Sequence, residues 1–155
     1  MSNSKKELAV AALRNGTVID HIPSDALFKC VKILGLTEMS HQLTIGNNLH
    51  SERLGLGTKG IIKVADVFFP EDMLNRIALV APTAVVNTIR DYEVAEKRPV
   101  ALPATIRGIV KCDNPKCITN NEPMSTRFNV EETTTPILRC HYCNHCVSGP
   151  DAEII

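Results

Sequence analysis

CDNPKC at residues 112–117 and CHYC at residues 140–143 place two closely spaced cysteine pairs in the C-terminal part of this 155-residue chain. Pairs with C-x4-C and C-x2-C spacing on facing turns can each supply two corners of a tetrahedral zinc site. The 22 residues between Cys117 and Cys140 are enough for a hairpin that brings the second turn against the first. Four thiolates leave no coordination position for water or substrate. The pattern therefore predicts one structural Zn²⁺ per chain in a small antiparallel β domain, held by Cys112, Cys117, Cys140 and Cys143.

Three further side chains near these pairs are possible metal donors: Cys146, His141 and His145. Cys146 would extend the second pair to C-x2-C-x2-C. We interpret all three as bystanders, because the second pair without them best mirrors the upstream turn. Cys30 is predicted to be a small core residue, since it lies on the apolar face of a predicted helix.

The composition is that of a globular chain without net charge. Seventeen basic residues balance 17 acidic ones, so no overall field attracts the chain to nucleic acid or to an anionic membrane. The chain has no run of 18 apolar residues and no apolar signal core behind its polar N-terminus, which predicts a soluble, cytoplasmic protein. Five of the six cysteines lie within residues 112–146, and this clustering favours zinc in a reducing compartment over disulfides.

Upstream of the cysteines, β-type runs alternate with amphipathic helical runs. The β-type runs cover residues 17–22, 41–47, 60–69, 84–89 and 92–95, with Arg90 and Asp91 as the last turn. One helix follows the first run, with Ser24 as its N-cap and Gly35 as its stop. A second helix follows the third run, with Pro70 at its first position. The order β-α-β-β-α-β plus an edge strand predicts an α+β, ferredoxin-like domain with both helices on one face of the sheet.

Pro99 and Pro103 mark a semi-rigid connector at residues 99–103. We therefore predict an N-terminal domain over residues 1–98 and a zinc-binding domain over residues 104–155. Runs that resemble strands in the second domain cover residues 106–111, 127–130 and 136–139. Residues 149–155 carry no recognisable structural signal.

GTVIDHIP at residues 16–23 places Asp20 and His21 on opposite faces of a strand, where an apolar or simply alternating run is the default. Lys63 stands in another β-type run. Taken singly, an exposed strand and a solvated lysine are the simpler interpretations.

Taken together, these segments resemble the regulatory chain of bacterial and archaeal aspartate carbamoyltransferase. The resemblance rests on GTVIDHIP, on LTIG at residues 43–46, on the run ending at Lys63, and on APTAVVNTIRDYEVAEK at residues 81–97. The two cysteine pairs follow in the same order, so that the resemblance covers about residues 7–146.

The resemblance implies a non-catalytic regulatory subunit that transmits allosteric control of pyrimidine biosynthesis to catalytic chains. Its N-terminal domain would bind the nucleoside triphosphates CTP, ATP and UTP. Its zinc domain would dock on the catalytic chain, with Asn114 as a contact. The regulatory chains would form homodimers within a dodecamer of two catalytic trimers and three regulatory dimers, with no nucleic acid or membrane partner.

The resemblance also carries nucleotide-site roles onto residues of this chain by motif. The triphosphate and ribose would meet Lys63, Lys97 and His21. The base and sugar would be framed by Asp20, Asn87, Tyr92 and Val94. Apolar contact would come from Val10, Leu13, Val18 and Ile61. Val85 replaces a usual threonine and Ala11 replaces a usual charged residue, which implies an effector preference different from the familiar one. The loop at residues 47–59 is two residues longer than expected.

Two other functions compete with this interpretation. An enzyme would need an activated nucleophile or an acid–base pair, and Asp20, His21 and scattered serines form no recognisable catalytic set. A zinc ribbon that binds nucleic acid is the stronger alternative, because basic side chains occur around the cysteines: Lys111, Lys116, Arg127 and Arg139. Acidic neighbours oppose a basic face: Asp113, Glu122, Glu131 and Glu132.

Overall fold

The structure, a computed structural model, describes residues 13–51, 57–131 and 135–155. Its larger sheet has five antiparallel strands in the order β2-β3-β1-β4-β5. The strands are β1 (Gly16–Ile22), β2 (Leu43–Ser51), β3 (Gly57–Ala65), β4 (Val85–Arg90) and β5 (Glu93–Pro99). Helix α1 (Leu27–Ile33) follows β1, and helix α2 (Glu71–Asn75) follows β3. This is the predicted split βαβ order with β5 added at the edge.

One face of this sheet forms the core with the helices. Ile19 of β1 is paired with Ile62 of β3 and with Val86 of β4, and all three side chains are at most 2% exposed. They belong to the same buried cluster as Leu27 and Val31 of α1. Because successive strand residues point to opposite faces, the intervening residues of these strands line the face away from the helices.

The predicted N-cap of the first helix is wrong. The helix begins at Leu27 with Ala26 as its N-cap and no side-chain cap, while the Ser24 hydroxyl is 3.1 Å from the Thr58 hydroxyl on β3. A tertiary hydrogen bond therefore takes the group that would otherwise cap the helix. The predicted stop is confirmed, since Gly35 has a left-handed φ of 64° directly after the C-cap residue.

The second helix differs from its prediction in its details. Pro70 is the N-cap residue rather than the first helical residue. The α-helix is short and continues as a 3-10 helix over Arg76–Leu79.

Strand pairing moves several predicted boundaries. The predicted run 41–47 is observed as β2, which begins and ends later, and the predicted run 60–69 is observed as β3, which begins and ends earlier. The two strands pair as far as Ser51 and Gly57. The last hairpin turns at Asp91 and Tyr92, with φ values of 50° and 67°, and not at Arg90 and Asp91. Two left-handed residues match the twist of the paired strands, which is why the turn lies one residue later.

The second domain contains short strands and one helical turn, α3 (Ile118–Asn121). Its strands are β6 (Thr105–Arg107), β7 (Val110–Lys111), β8 (Arg127–Glu131), β9 (Ile137–Cys140), β10 (Cys146–Ser148) and β11 (Glu153–Ile154). Four of them form a sheet in the order β10-β9-β8-β6, and β11 pairs with β7. Gly108, with φ of 69°, divides the predicted run 106–111 into β6 and β7.

Residues 149–155 are ordered structure although no local signal indicated it. They form a 3-10 turn over Gly149–Asp151 followed by β11. A Cβ atom on Gly149 would lie 3.1 Å from the carbonyl oxygen of Leu79, so that this segment packs directly against the N-terminal domain. Within the three described ranges, no helix is long and apolar enough to cross a membrane.

Candidate metal centre and sheet-face site

The four predicted cysteines converge on one point of the second domain. Their Sγ atoms all lie within 4.8 Å of one another, with 3.6 Å between Cys112 and Cys143 and 3.7 Å between Cys117 and Cys140. A tetrahedral zinc ion with Zn–S bonds of about 2.3 Å separates its sulfurs by about 3.8 Å. The donor set and its spacing therefore fit a four-thiolate metal ion with no open position.

Amide side chains of α3 support the first cysteine loop. Asn120 Nδ2 donates at 2.8 Å to the carbonyl of Cys112 and to that of Asn114, and Asn121 Nδ2 donates at 2.8 Å to the carbonyl of Cys117. These bonds fix the backbone that carries both ligands of the pair, which is the usual task of groups outside the ligand shell.

The two cysteine loops are also joined directly. His145 Nε2, from the second loop, lies 2.6 Å from Asp113 Oδ1, in the first. The backbone amide of Cys140 donates to the carbonyl of His145 at 2.9 Å, which closes the second loop. His145 thus contacts a ligand loop rather than the metal centre, as the sequence interpretation of a bystander predicted.

The thiols of the cluster differ in acidity. Burial raises the pKa of Cys112 and of Cys140 above the usual thiol value. Burial also acts to raise the pKa of Cys143, but hydrogen bonds from the Asn114 side chain and the His145 backbone lower it to about 6. Protons and a metal ion compete for the same sulfurs, so metal binding must release protons from the thiols whose pKa is raised.

The remaining cysteines lie outside this centre. Cys146 is exposed on β10, where its sulfur is 3.8 Å from the carbonyl of Asn144. Cys30 is fully buried in the core of the N-terminal domain, and burial raises its pKa to about 12. Both placements agree with the sequence interpretation.

The second candidate site is the helix-free face of the five-stranded sheet. Val18 of β1 is paired with Lys63 on one side and with Asn87 on the other, and Asn87 is paired in turn with Lys97. Directly paired residues share a face, and residues two apart along a strand share it too. The face therefore carries most of the residues predicted to meet a nucleotide: Val18, Asp20, Ile61, Lys63, Asn87, Val94 and Lys97.

Lysine 59 is a residue of this face that the sequence reasoning missed. Its Nζ lies 2.8 Å from Asp20 Oδ1, and both side chains are about four-fifths buried, at 19% and 22% exposed. Its position two and four residues before Ile61 and Lys63 on β3 was the available signal.

Strand β1 has a bulge beside Asp20. Its register shifts between Ile19 and Ile22, and His21 has a left-handed φ of 57°. The His21 amide donates to Asp20 Oδ1 at 2.7 Å, while the His21 carbonyl accepts from the Thr83 hydroxyl at 2.8 Å. The bulge therefore holds His21 close to Asp20, with His21 Nε2 at 3.9 Å from Asp20 Oδ2.

A cavity of about 210 Å³ opens at one end of the same face. Its lining includes Lys63, Tyr92 and Leu13. It also includes Gln42, directly before β2, and Thr44 on β2. Val94 and Lys97 of β5 are exposed and do not line it. Val10 lies outside the described residues, as does Ala11.

Asn114, the predicted contact to a catalytic chain, is half-buried within the first cysteine loop. Its Oδ1 accepts from the Lys116 amide at 3.1 Å, and its side chain hydrogen-bonds to Cys143. The structure gives this residue a role inside the loop, and its contact with another chain remains a prediction.

Fold and site together define a two-domain protein with a closed four-cysteine metal centre and a sheet face that carries lysines. Residues 8–101 match the family described as aspartate carbamoyltransferase regulatory chain, allosteric domain. Residues 104–153 match that chain's metal binding domain.

Curated relatives agree along nearly the whole chain. The aspartate carbamoyltransferase regulatory chain of Parabacteroides distasonis is 55% identical, over 99% of this chain and 98% of the relative. That of Phocaeicola vulgatus is 59% identical over 92% of this chain and 91% of the relative, and that of the archaeon Pyrococcus horikoshii is 48% identical over 88% and 90%. This chain belongs to the aspartate carbamoyltransferase regulatory chain family. It is a regulatory, non-catalytic chain of an enzyme of pyrimidine biosynthesis.

Proposed function

We propose that this regulatory chain binds nucleoside triphosphates, CTP, ATP and UTP, on the helix-free face of its five-stranded sheet. The observation that carries the proposal is the register that aligns Lys63, Val18, Asn87 and Lys97 in one row across four strands. The row offers a cation at either end, an amide, and an apolar residue between them.

The chemistry of this row suits a nucleotide. A triphosphate on a chain without net charge needs local cations, and hydrogen bonds between ammonium and phosphate are the stronger, charge-assisted kind. Lys63, Lys97 and His21 would meet the triphosphate and ribose. The base and sugar would lie against Asp20, Asn87, Tyr92 and Val94, with apolar contact from Val10, Leu13, Val18 and Ile61. The cavity, at about 210 Å³, is smaller than the ~300 Å³ or more of a site for a whole drug-sized ligand. It would receive only part of the nucleotide.

We propose that the metal is one structural Zn²⁺ per chain, bound by Cys112, Cys117, Cys140 and Cys143. Four thiolates in a tetrahedron are typical of zinc or of iron. Zinc has no redox chemistry and suits a centre whose task is to hold two loops together. Its loss should unfold the loops and with them the surface that the domain presents.

We further propose the assembly in which this chain works. Residues 1–98 would form the allosteric domain and residues 104–155 the metal domain, joined by residues 99–103. The metal domain would dock on the aspartate carbamoyltransferase catalytic chain in the cytoplasm, with Asn114 as a contact. Regulatory homodimers would join catalytic trimers in a dodecamer of two catalytic trimers and three regulatory dimers.

The regulatory effect would follow from linkage. A nucleotide that binds one quaternary state better than another shifts the equilibrium by its difference in affinity, typically about 1–3 kcal/mol of coupling. A nucleotide with equal affinity for both states would bind without any effect on activity.

The first test is calorimetric titration of the metal-loaded chain with CTP and then ATP. We expect both to bind and each to compete with the other for one site. The variant K97A should bind more weakly with unchanged metal content, whereas K116M, on an exposed lysine of the metal domain, should bind as the wild type does. Wild-type chain that binds neither nucleotide would refute the proposal.

The second test is gel filtration of the chain with the cognate catalytic trimer, which should give a larger complex only while metal is bound. A zinc ribbon that binds nucleic acid would instead shift a nucleic-acid probe in a salt-dependent way. The pairing of Arg139 with Glu131 at 2.9 Å opposes that alternative, because it neutralises one of the basic side chains that such a face would use.

A further inference from the structure

The two cysteine loops contact each other through side chains other than the four converging cysteines. His145 Nε2, in the second loop, lies 2.6 Å from Oδ1 of Asp113, which directly follows the predicted ligand Cys112 in the first loop. Both side chains are about half exposed, at 46% for His145 and 55% for Asp113. The contact therefore lies at the rim of the metal centre, where solvent and a competing ligand would enter.

Both members of this pair project from a fixed backbone. Asp113 lies between two residues whose carbonyls both accept from Asn120 Nδ2 at 2.8 Å. The carbonyl of His145 accepts from the Cys140 amide at 2.9 Å. An exposed ion pair usually contributes little, in part because two long side chains must be ordered to form it. Aspartate and histidine have short side chains, so less conformational freedom is lost when these two meet.

A second contact between the loops is made at the sulfur of Cys143. This sulfur accepts hydrogen bonds from the Asn114 side chain, in the first loop, and from the His145 backbone amide, in its own loop. Asn114 is held in turn by its Oδ1, which accepts from the Lys116 amide at 3.1 Å. Of the four predicted ligands, Cys143 alone is not fully buried. The contacts between the loops therefore meet at the ligand that is most open to exchange.

These contacts bear on how a closed four-thiolate centre loses its metal. Release must begin with one sulfur leaving the ion, and Cys143 is the sulfur that a competitor reaches most easily. While the loops stay together, the freed sulfur remains close to the ion at a high effective concentration and rebinds. Once the loops separate, the ion keeps only the two thiolates of one loop. A contact between the loops that does not involve the metal therefore favours rebinding over release.

We propose that Asp113, Asn114 and His145 form a clasp that slows release of the metal. Asp113 and His145 are its positioning residues: neither is a ligand, and together they hold the loop of Cys143 against the loop of Cys112. The inference rests on the four-cysteine zinc site proposed above. It gives His145, a bystander to the metal itself, a task in keeping the ligands together.

Release of zinc from the full, loaded chain into excess EDTA tests the clasp, with the zinc that stays bound measured by metal analysis over time. D113L and H145L each remove one partner. They should release zinc roughly 3- to 10-fold faster than the wild type, between the effect of an exposed ion pair and that of a group bound to a metal ligand. H145Q keeps a donor near the position of Nε2 and should restore slow release, which a role in packing alone would not predict.

The matched control is H141L, because His141 lies within the second cysteine pair but is exposed, and its ring contacts that of Tyr142 at 5.1 Å between centroids. It should release zinc at the wild-type rate. The double variant D113L/H145L isolates the pair. If the two residues act through one contact, the double variant should release zinc no faster than either single variant.

The outcomes separate the clasp from the zinc site. A wild-type chain without zinc would overturn the proposed site, and the clasp with it. If zinc is present but both single variants release it at the wild-type rate, only the clasp is refuted. The clasp is equally wrong if H141L is as fast as H145L, or if the effects of D113L and H145L multiply in the double variant, since the two residues would then act independently.

Discussion

Lys63 on β3 and Asn87 on β4 lie on either side of Val18, with which both are directly paired. Lys63 is only 8% exposed, although an isolated lysine in a strand usually reaches into solvent. The row places its ammonium group on the sheet face, within reach of the cavity that it lines.

The variant K63M tests whether that ammonium group binds a nucleotide. Methionine keeps the packing of the stem, so the loss should be confined to charge-assisted hydrogen bonds of about 1.5–3 kcal/mol, or roughly 10- to 150-fold in CTP affinity. Calorimetry measures the change, with K116M as the matched control on the other domain. CTP affinity within about twofold of the wild type would remove Lys63 from the site.

Metal content distinguishes ligands from bystanders among the cysteines. We expect about one zinc per wild-type chain, little in C112S, and about one in C146S, because Cys146 lies outside the group of four sulfurs. Metal analysis after gel filtration gives the ratio directly. Full metal in C112S, or its loss in C146S, would require a different ligand set.

The metal centre was predictable because its information is local. Two pairs of cysteines at ligand spacing need only a hairpin to bring them together, and the four sulfurs meet as that spacing predicts. The order of strands and helices in the N-terminal domain was predictable for a similar reason, since the spacing of hydrophobic residues along the sequence differs clearly between strands and helices.

Features that depend on distant partners were not predictable. Ser24 stands at a position typical of an N-cap, but its hydroxyl hydrogen-bonds to Thr58 instead. Residues 149–155 have no periodicity, because their structure comes from β7 on one side and from Lys29 and Lys32 on the other. A hydrogen bond between residues 122 positions apart leaves no local signal in the sequence.

Glycine 16 should tolerate no side chain. Its φ of 141° is strained for other residues, and a Cβ atom would lie 2.1 Å from the carbonyl oxygen of Val64 on the paired strand. We expect G16A to lower the free energy of unfolding by at least about 2 kcal/mol through strain and displaced pairing. G35A is the matched control, because Gly35 also has positive φ but an added Cβ would meet nothing within 4 Å.

Chemical denaturation of both variants separates the two causes. Strain alone should cost G35A about 1–2 kcal/mol, and G16A should lose more. Equal losses would mean that the strand pair moves apart to admit the methyl group.

Alkylation should distinguish three classes of thiol. At pH 8 in the metal-loaded, folded chain, iodoacetamide should modify the exposed Cys146 alone. Cys30 is fully buried and its pKa is raised to about 12, so that almost none of it is the reactive thiolate at this pH. A chelator should open the four thiols of the metal centre, and only unfolding should open Cys30.

Mass spectrometry counts the modified cysteines at each stage, and C146S should show none in the folded, metal-loaded state. Modification of Cys30 before unfolding would mean that the N-terminal core opens locally, contrary to its burial.

Gly149 leaves little room for a side chain beside Leu79 of the N-terminal domain. A methyl group there would lie 3.1 Å from both the Leu79 carbonyl oxygen and its Cδ1, and 3.5 Å from Cβ of Pro136. Leu79 is 2% exposed and its carbonyl belongs to the backbone, so the contact cannot relax by a change of rotamer alone. We expect G149A to destabilise the chain by about 1–3 kcal/mol, as overpacking typically does.

S148A changes a hydroxyl that bonds only to the exposed Asp151 in the described structure, and should stay within about 0.5 kcal/mol of the wild type in the same thermal unfolding measurement. A G149A chain as stable as S148A would show that the 3-10 turn can move away from Leu79 to admit the methyl group.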